Sequence, residues 1–152
     1  MVFELPELDR KATQSALETE LEKYRLYKYL IFDEKESVIT SSSEIRYHGP
    51  TNQNSDQTGS IAIYNADQQR YRKVYCNRVE WAVRRLPKME RFLIEERYMC
   101  EDAEYISDYQ IYSFKFQPPI SEKTYSKIRW KAFYKLAFNL NVASTFKGNN
   151  TN

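Results

Sequence analysis

Apolar residues recur at intervals of three and four positions over much of the chain, a period that predicts helices rather than strands. The first predicted helix covers residues 9–32, and Asp9 stands where its side chain can accept from the first backbone N–H groups. The apolar positions of this helix are Ala16, Leu17, Leu21, Tyr24, Tyr27, Leu30 and Ile31. We therefore expect a helical segment at residues 1–32 that buries one face.

Residues 33–60 interrupt this period. They are rich in Ser, Thr, Asn and Gln, contain a Gly-Pro pair, and hold few large apolar side chains. A stretch of 28 residues without a period is too long for a connection inside a compact domain. It predicts a flexible polar linker or loop between the N-terminal segment and the rest.

Residues 61–142 predict a domain of four helices, at 61–85, 87–99, 108–116 and 122–140. The first of these has one apolar stripe, formed by Tyr64, Tyr71, Val74, Tyr75, Val79, Ala82 and Val83. Pro118 and Pro119 separate the last two helices, and Ser121 stands at the N-cap position of the final one. The face of that helix predicted to be buried consists of Tyr125, Ile128, Ala132, Leu136 and Leu140. Residues 143–152 are expected to fray, and the predicted fold class is all-α.

Charge divides the chain into two unlike parts behind a net charge of only +2. Residues 1–69 carry 7 basic and 12 acidic side chains, a net −5, whereas residues 70–152 carry 16 basic and 9 acidic, a net +7. Opposite signs in the two parts indicate that one part meets a polyanion.

The positive charge is concentrated on the last predicted helix. Two helices joined by a turn, with the second one basic, are typical of a helix-turn-helix. There the second helix lies in the major groove of DNA, and its first residues meet base edges. Side chains able to bind bases or phosphates follow one another along it: Ser121, Glu122, Lys123, Thr124, Ser126, Lys127, Arg129, Trp130, Lys131 and Lys135. We expect Lys123, Thr124, Ser126 and Lys127 near base edges, and Ser121, Arg129, Lys131 and Lys135 at phosphates. Trp130 fits either a DNA contact or packing against the first helix or a second subunit.

Other classes of function find little support. No apolar stretch reaches the roughly 20 residues of a membrane span, and the first residues lack a signal-peptide pattern, which indicates a cytoplasmic protein. The expected DNA binding would make it nucleoid-associated. His48 is the single histidine, and Cys76 and Cys100 lie too far apart for a paired zinc motif. We therefore expect no enzymatic activity, no metal and no cofactor.

Two segments resemble the promoter-reading C-terminal domain, region four, of bacterial sigma factors. Residues 86–99 (LPKMERFLIEERYM) resemble its opening helix, and Ile120-Ser121 through Thr124, with Lys131-Ala132 and Leu136, resemble its recognition helix. Leu5-Pro6-Glu7-Leu8-Asp9 precede a Tyr-rich helix, and the last helix contains Thr124-Tyr125 and the run from Ala132 to Ala137. In these segments the chain as a whole resembles the ArpU family of phage late-gene transcriptional regulators.

This resemblance implies a sigma-like helix-turn-helix with an N-terminal helical extension. It also implies sequence-specific binding of double-stranded promoter or operator DNA, and activation of phage or prophage late (packaging and lysis) genes. Contact with RNA polymerase and homo-oligomerisation both stay open.

Two departures from the sigma pattern favour an alternative. Eight residues lie between Ile111 and Ile120 where five are common, and Tyr112 stands where the contact between the helices usually takes Ala. The alternative is a sigma-like interaction module that binds RNA polymerase without reading DNA itself.

Overall fold

The computed structural model describes residues 5–41 and 55–145, with side-chain surroundings for 5–31 and 63–145. Five α-helices lie in these residues: α1 Arg10–Ser41, α2 Ser55–Arg84, α3 Lys88–Ile94, α4 Asp108–Gln110 and α5 Glu122–Asn139. Helix α3 continues into a π-helical turn at Glu95–Met99, a 3-10 turn follows at Ala103–Tyr105, and α4 continues into a second π-helical turn at Ile111–Lys115. The described residues contain no strand beyond an isolated bridge between Leu8 and Thr145. The predicted all-α class is confirmed for this part of the chain.

The helices on either side of the predicted linker are longer than the apolar period indicated. Helix α1 runs to Ser41 and α2 begins at Ser55, so the linker prediction for 33–60 is wrong at both of its ends. Glu34 and Lys35 are good helix formers, and a helix can continue through such residues after its apolar period has faded. The middle of the predicted linker lies outside the described residues.

The chain divides into two compact units. One holds the residues up to Arg25 together with those from Val79 onward, and the other holds Leu26–Arg78. The first part of α1 thus belongs to the same unit as α3, α4 and α5. These divisions differ from the domain limits expected at residues 32 and 61, because long helices pass through both positions without a break.

Helices α1, α2, α3 and α5 and the π-helical turn after α4 all contribute to the core of the first unit. The largest fully buried side chains there are Leu17, Leu21, Val79, Val83, Leu93, Ile94, Ile111, Tyr125, Phe133 and Leu136. Phe133 was not among the positions predicted to be buried on α5, yet it is fully buried, with its ring 5.5 Å from that of Tyr98. The buried face of α5 is therefore wider than the predicted stripe.

Helix α5 ends in a defined cap. Asn141 has a φ of 58°, the left-handed conformation that asparagine tolerates better than most residues. The N–H of Asn141 donates to the carbonyl of Phe138 at 3.3 Å, and the N–H of Val142 donates to that of Ala137 at 2.9 Å. This is the Schellman arrangement, which satisfies two of the last carbonyls and turns the chain back toward its beginning.

The segment after this cap pairs with the N-terminal segment. The Asp9 N–H donates to the Ser144 carbonyl at 2.8 Å, and Leu8 forms an antiparallel bridge with Thr145. Thr13, which is fully buried, bonds both the N–H and the carbonyl of Ser144 through its hydroxyl. The predicted fraying of 143–152 is therefore wrong for residues 143–145, because backbone pairing holds them, while 146–152 lie outside the described residues.

In the second unit, the rings of Tyr71 and Tyr75 meet the ring of Tyr27 edge-on, at 6.1 and 5.3 Å. The apolar positions of α2 differ in burial along the helix. Tyr64 and Val74 are more than 60% exposed, whereas Val79 further along the helix is fully buried. The predicted stripe of α2 is therefore buried only toward the end of the helix, where Val79, Ala82 and Val83 lie in the core.

Candidate nucleic-acid interface

Ser121 begins α5 as predicted. Its backbone is extended, with φ −74° and ψ 157°, and its Oγ accepts from the N–H of Thr124 at 3.2 Å. The same hydroxyl donates to Thr124 Oγ1 at 3.0 Å. Both hydroxyls are exposed and held together at the helix N-terminus, where the N–H groups and the helix dipole favour an anion.

Ser121→Ala is expected to lower the free energy of unfolding by about 1 kcal/mol, because one N–H of the first turn loses its acceptor. Urea unfolding monitored by circular dichroism measures this. Ser121→Asn, which keeps an acceptor oxygen, should retain most of the stability. Equal losses in the two variants would mean that Ser121 does not act as a cap.

The orientation of α5 depends on a set of side chains that meet at Asp108, the first residue of α4. Tyr125 Oη and Arg97 Nε donate to Asp108 Oδ1 at 2.7 and 2.9 Å, and Arg129 Nη1 donates to Oδ2 at 3.0 Å. Arg97 also donates to the carbonyl of Ala103 in the 3-10 turn, at 3.2 Å. These contacts, here called the Asp108 network, tie α5 to α4 and to the π-helical turn after α3.

The network changes the ionisation of its members. Burial would raise the pKa of Asp108, but the hydrogen bond from Tyr125 and the charges of Arg129 and Arg97 outweigh it, and the pKa is lowered. Burial, together with the hydrogen bond to Asp108, raises the pKa of Tyr125. Outside the network, burial also raises the pKa of Tyr98, whose ring lies 4.9 Å from the Arg97 guanidinium, to about 12. At neutral pH the network therefore consists of a carboxylate, two guanidinium groups and one neutral phenol, that of Tyr125.

The turn between α4 and α5 accommodates the bulky Tyr112. Its ring lies 5.4 Å from that of Tyr125, and its carbonyl accepts from the Ile120 N–H at 3.0 Å. Phe116 is buried, with its ring 4.9 Å from that of Phe92. The long turn that contains Pro118 and Pro119 is thus anchored at both of its ends.

Six of the ten predicted binding residues line one open depression on the outer side of α5. With one addition, Arg10 of α1, they form the α5 surface: Arg10, Glu122, Lys123, Ser126, Lys127, Trp130 and Lys131. Ser121 and Thr124 lie at the helix N-terminus that begins this face. The guanidinium of Arg10 lies 4.9 Å from the centre of the Trp130 ring, so Trp130 both lines the surface and packs against the first helix.

The two remaining predicted residues, Arg129 and Lys135, have other partners. Arg129 belongs to the Asp108 network, and only 19% of its side chain is exposed. Lys135 Nζ lies 2.8 and 3.0 Å from the two carboxylate oxygens of Glu90, a buried residue of α3. The predicted roles of these two cations at phosphates remain predictions, but each already has an internal carboxylate.

The α5 surface keeps a clear excess of positive charge. Arg10, Lys123, Lys127 and Lys131 are all exposed, and Glu122 is the one acid among the lining residues, which leaves a net +3. Such a surface can bind phosphates through its cations, and its serine can bond base edges. Sequence reasoning missed Arg10 because it lies more than a hundred residues before α5, and no local pattern links the two.

No group of three or more His, Cys, Asp or Glu side chains suited to a metal ion occurs in the part of the chain that the structure describes. His48 lies outside that part. Among the described helices, none combines the length and apolar character needed to cross a membrane.

Fold and site together define an all-α protein with a positively charged helical surface. The chain is similar to a protein of Listeria innocua serovar 6a that is named an uncharacterized phage-related protein. The two are 25% identical over 141 residues, which cover 93% of this chain and 95% of the relative. No family model and no solved structure matches the chain.

Proposed function

We propose that this protein is a phage or prophage transcriptional regulator that binds double-stranded DNA with sequence specificity. In this proposal α4, the turn after it and α5 act as a sigma-like helix-turn-helix, with α5 as the recognition helix. The observation that carries the proposal is the α5 surface. Three exposed lysines lie together on the outer side of α5, beside Arg10 of α1, and the inner side of α5 is fixed by the core and by the Asp108 network.

The position of each residue suggests its role. Lys123, Thr124, Ser126 and Lys127 lie in the first turns of α5, the part of a recognition helix that meets base edges. Arg10 and Lys131 line the same surface near Trp130 and would hold phosphates, together with the helix N-terminus at Ser121. Arg129 and Lys135 would act indirectly by holding α5 in place, since each is bonded to a carboxylate of another helix.

Two likenesses support the biological setting. Residues 86–99 and 120–136 resemble the promoter-reading domain of sigma factors, and the chain as a whole resembles ArpU-type regulators. The relative from Listeria innocua carries the word phage-related in its name. We therefore infer that the regulated genes are late genes of a phage or prophage, that the protein activates them in the cytoplasm, and that it has no enzymatic activity.

Selection of binding sites from random duplex DNA tests this proposal. The full chain should enrich one sequence motif, and that motif should compete far better than a scrambled duplex at physiological salt. No enriched motif together with capture of purified RNA polymerase would favour the alternative, an interaction module that does not read DNA. The long turn at 116–121 and the bulky Tyr112 are the features that favour this alternative.

Lys127→Ala is expected to weaken DNA binding in one of two distinguishable ways. If Lys127 holds a phosphate, the affinity for all duplexes falls and the log–log salt dependence becomes less steep by about one unit. If it reads a base, about 1–3 kcal/mol is lost for the selected motif only. Fluorescence anisotropy titrations at several salt concentrations separate the two results.

Two variants serve as controls for Lys127→Ala. Lys127→Arg keeps the charge and should keep the salt dependence. Lys88→Ala removes an exposed lysine at the start of α3, outside the α5 surface, and should change little. If Lys127→Ala and Lys88→Ala bind the selected duplex with equal affinity, and the scrambled duplex as well, Lys127 is not part of the interface.

A further inference from the structure

Helix α2 carries a row of large apolar side chains that stay exposed. Tyr64 is 63% exposed, Val74 61%, Trp81 56% and Tyr71 52%, although the ring of Tyr71 also meets that of Tyr27. Single exposed apolar residues are ordinary on a protein surface. Four of them in a regular row on one helix are typical of a contact surface.

The spacing of this row is that of a coiled coil. Positions 64, 67, 71, 74, 78 and 81 alternate in steps of three and four, the a and d positions of a heptad repeat. The two positions not filled by apolar residues hold Asp67 and Arg78, both exposed. We call this row the α2 seam: Tyr64, Asp67, Tyr71, Val74, Arg78 and Trp81.

We propose that a second copy of this chain packs on the α2 seam, with the two α2 helices antiparallel about a two-fold axis between positions 72 and 73. In that register Tyr71 meets the second copy's Val74, and Asp67 meets its Arg78. Tyr64 likewise meets Trp81 one layer further out. Each pair forms twice because the interface of a two-fold dimer is isologous. The seam is thus complementary to itself, because apolar side chains meet apolar side chains and Asp67 meets Arg78.

Charge selects this orientation over the parallel one. A parallel pairing would place Asp67 opposite Asp67 and Arg78 opposite Arg78, and like charges opposite one another suppress a pairing. The antiparallel register brings opposite charges together in both layers. In the single chain, Asp67 lies 3.8 Å from Arg70 in a pair whose side chains are 63% and 78% exposed. Such exposed pairs contribute little, so Asp67 can exchange this contact for Arg78 of the second copy.

A charge exchange tests the proposal directly. Sedimentation equilibrium of the full chain over a micromolar concentration series should show a dimer. Asp67→Arg and Arg78→Asp should each weaken dimerisation by about tenfold or more, because either change creates two like-charge contacts. The double variant Asp67→Arg/Arg78→Asp restores opposite charges and should regain most of the affinity. Lys73→Asp, an equal charge change elsewhere on α2, is the matched control and should dimerise as the wild type does.

Several results would overturn the proposal: a wild-type chain that stays monomeric, single variants that dimerise like wild type, or a double variant no better than the single ones. Circular dichroism checks that the variants fold. A second readout needs no charge change. When chains with Tyr71→Cys are mixed with chains with Val74→Cys, oxidation should link position 71 to position 74, as mass spectrometry can show. Links between two copies of position 71 would mean a parallel pair and would contradict the register.

This dimer does not depend on the proposed DNA binding. Anisotropy titrations with the selected duplex test that function separately, so failure of one proposal leaves the other intact.

Discussion

Asp108→Ala is expected to lower the free energy of unfolding by about 2–3 kcal/mol. The variant leaves the hydroxyl of Tyr125, which is 1% exposed, and the guanidinium groups of Arg97 and Arg129 without their shared carboxylate. The loss stays below that of a fully buried pair because 39% of the Asp108 side chain is exposed and water screens its interactions. Urea unfolding at pH 7 measures the loss.

The dependence of stability on acidic pH should also report the interactions of the Asp108 carboxylate. The pKa of Asp108 in the folded protein lies below its ordinary value of 3.8, so the ionised carboxylate stabilises the fold at pH values above 3.8. This contribution is lost as the pH falls through the lowered pKa. Asp108→Asn cannot ionise, and the difference in stability between wild type and this variant should narrow below pH 3.8.

Glu101→Ala is the matched control for Asp108, since it removes an exposed carboxylate from the same connection between α3 and α4. It should change the stability by less than about 0.5 kcal/mol. Equal effects of Asp108→Ala and Glu101→Ala, or a wild-type acid dependence in Asp108→Asn, would show that the Asp108 network does not hold the helices together.

Lys135→Met is expected to lower the free energy of unfolding by about 2–3 kcal/mol, nearly as much as Asp108→Ala. The methionine keeps the length of the side chain but leaves the Glu90 carboxylate, only 9% exposed, without its cation. Lys135 is half-exposed, so water can partly replace the lost ammonium and limits the loss. Thermal unfolding followed by circular dichroism, together with urea titration, measures the change.

Two further variants separate a structural role of Lys135 from a role in DNA binding. Lys131→Met, on the exposed side of the same helix, should leave stability within about 0.5 kcal/mol of wild type. Glu90→Gln combined with Lys135→Met should recover part of the lost stability, because no uncompensated buried charge remains. A Lys135→Met protein with wild-type stability and weakened DNA binding would instead assign Lys135 to a phosphate.

Most of the secondary structure could be predicted from the types of neighbouring residues. Asp9 and Ser121 cap their helices as predicted, since a cap depends on one side chain and the backbone within three residues of it. Pro118 and Pro119 separate α4 from α5 because proline cannot continue a helix. Ends without such signals were predicted poorly: α1 continues to Ser41 because helix propensity persists after the apolar period ends.

Only part of the candidate site could be predicted from the sequence. Charge and position along α5 led to Lys123, Lys127 and Lys131, because exposure follows from the side of the helix opposite the core. The same reasoning could not separate Lys131 from Lys135, since both are lysines on one basic helix. The difference comes from Glu90 of α3, which is distant in sequence and meets Lys135 only in the folded chain.

By itself, the sequence determined the all-α class, the N-terminal caps of α1 and α5, the proline turn before α5, and the basic character of the last helix, because each of these depends on neighbouring residues. Tertiary structure alone decided which cations have an internal partner and that Arg10 joins the α5 surface. It also decided that residues 143–145 pair with the N-terminal segment. These outcomes depend on contacts between distant parts of the chain, which the packing of the core brings together and no local period records.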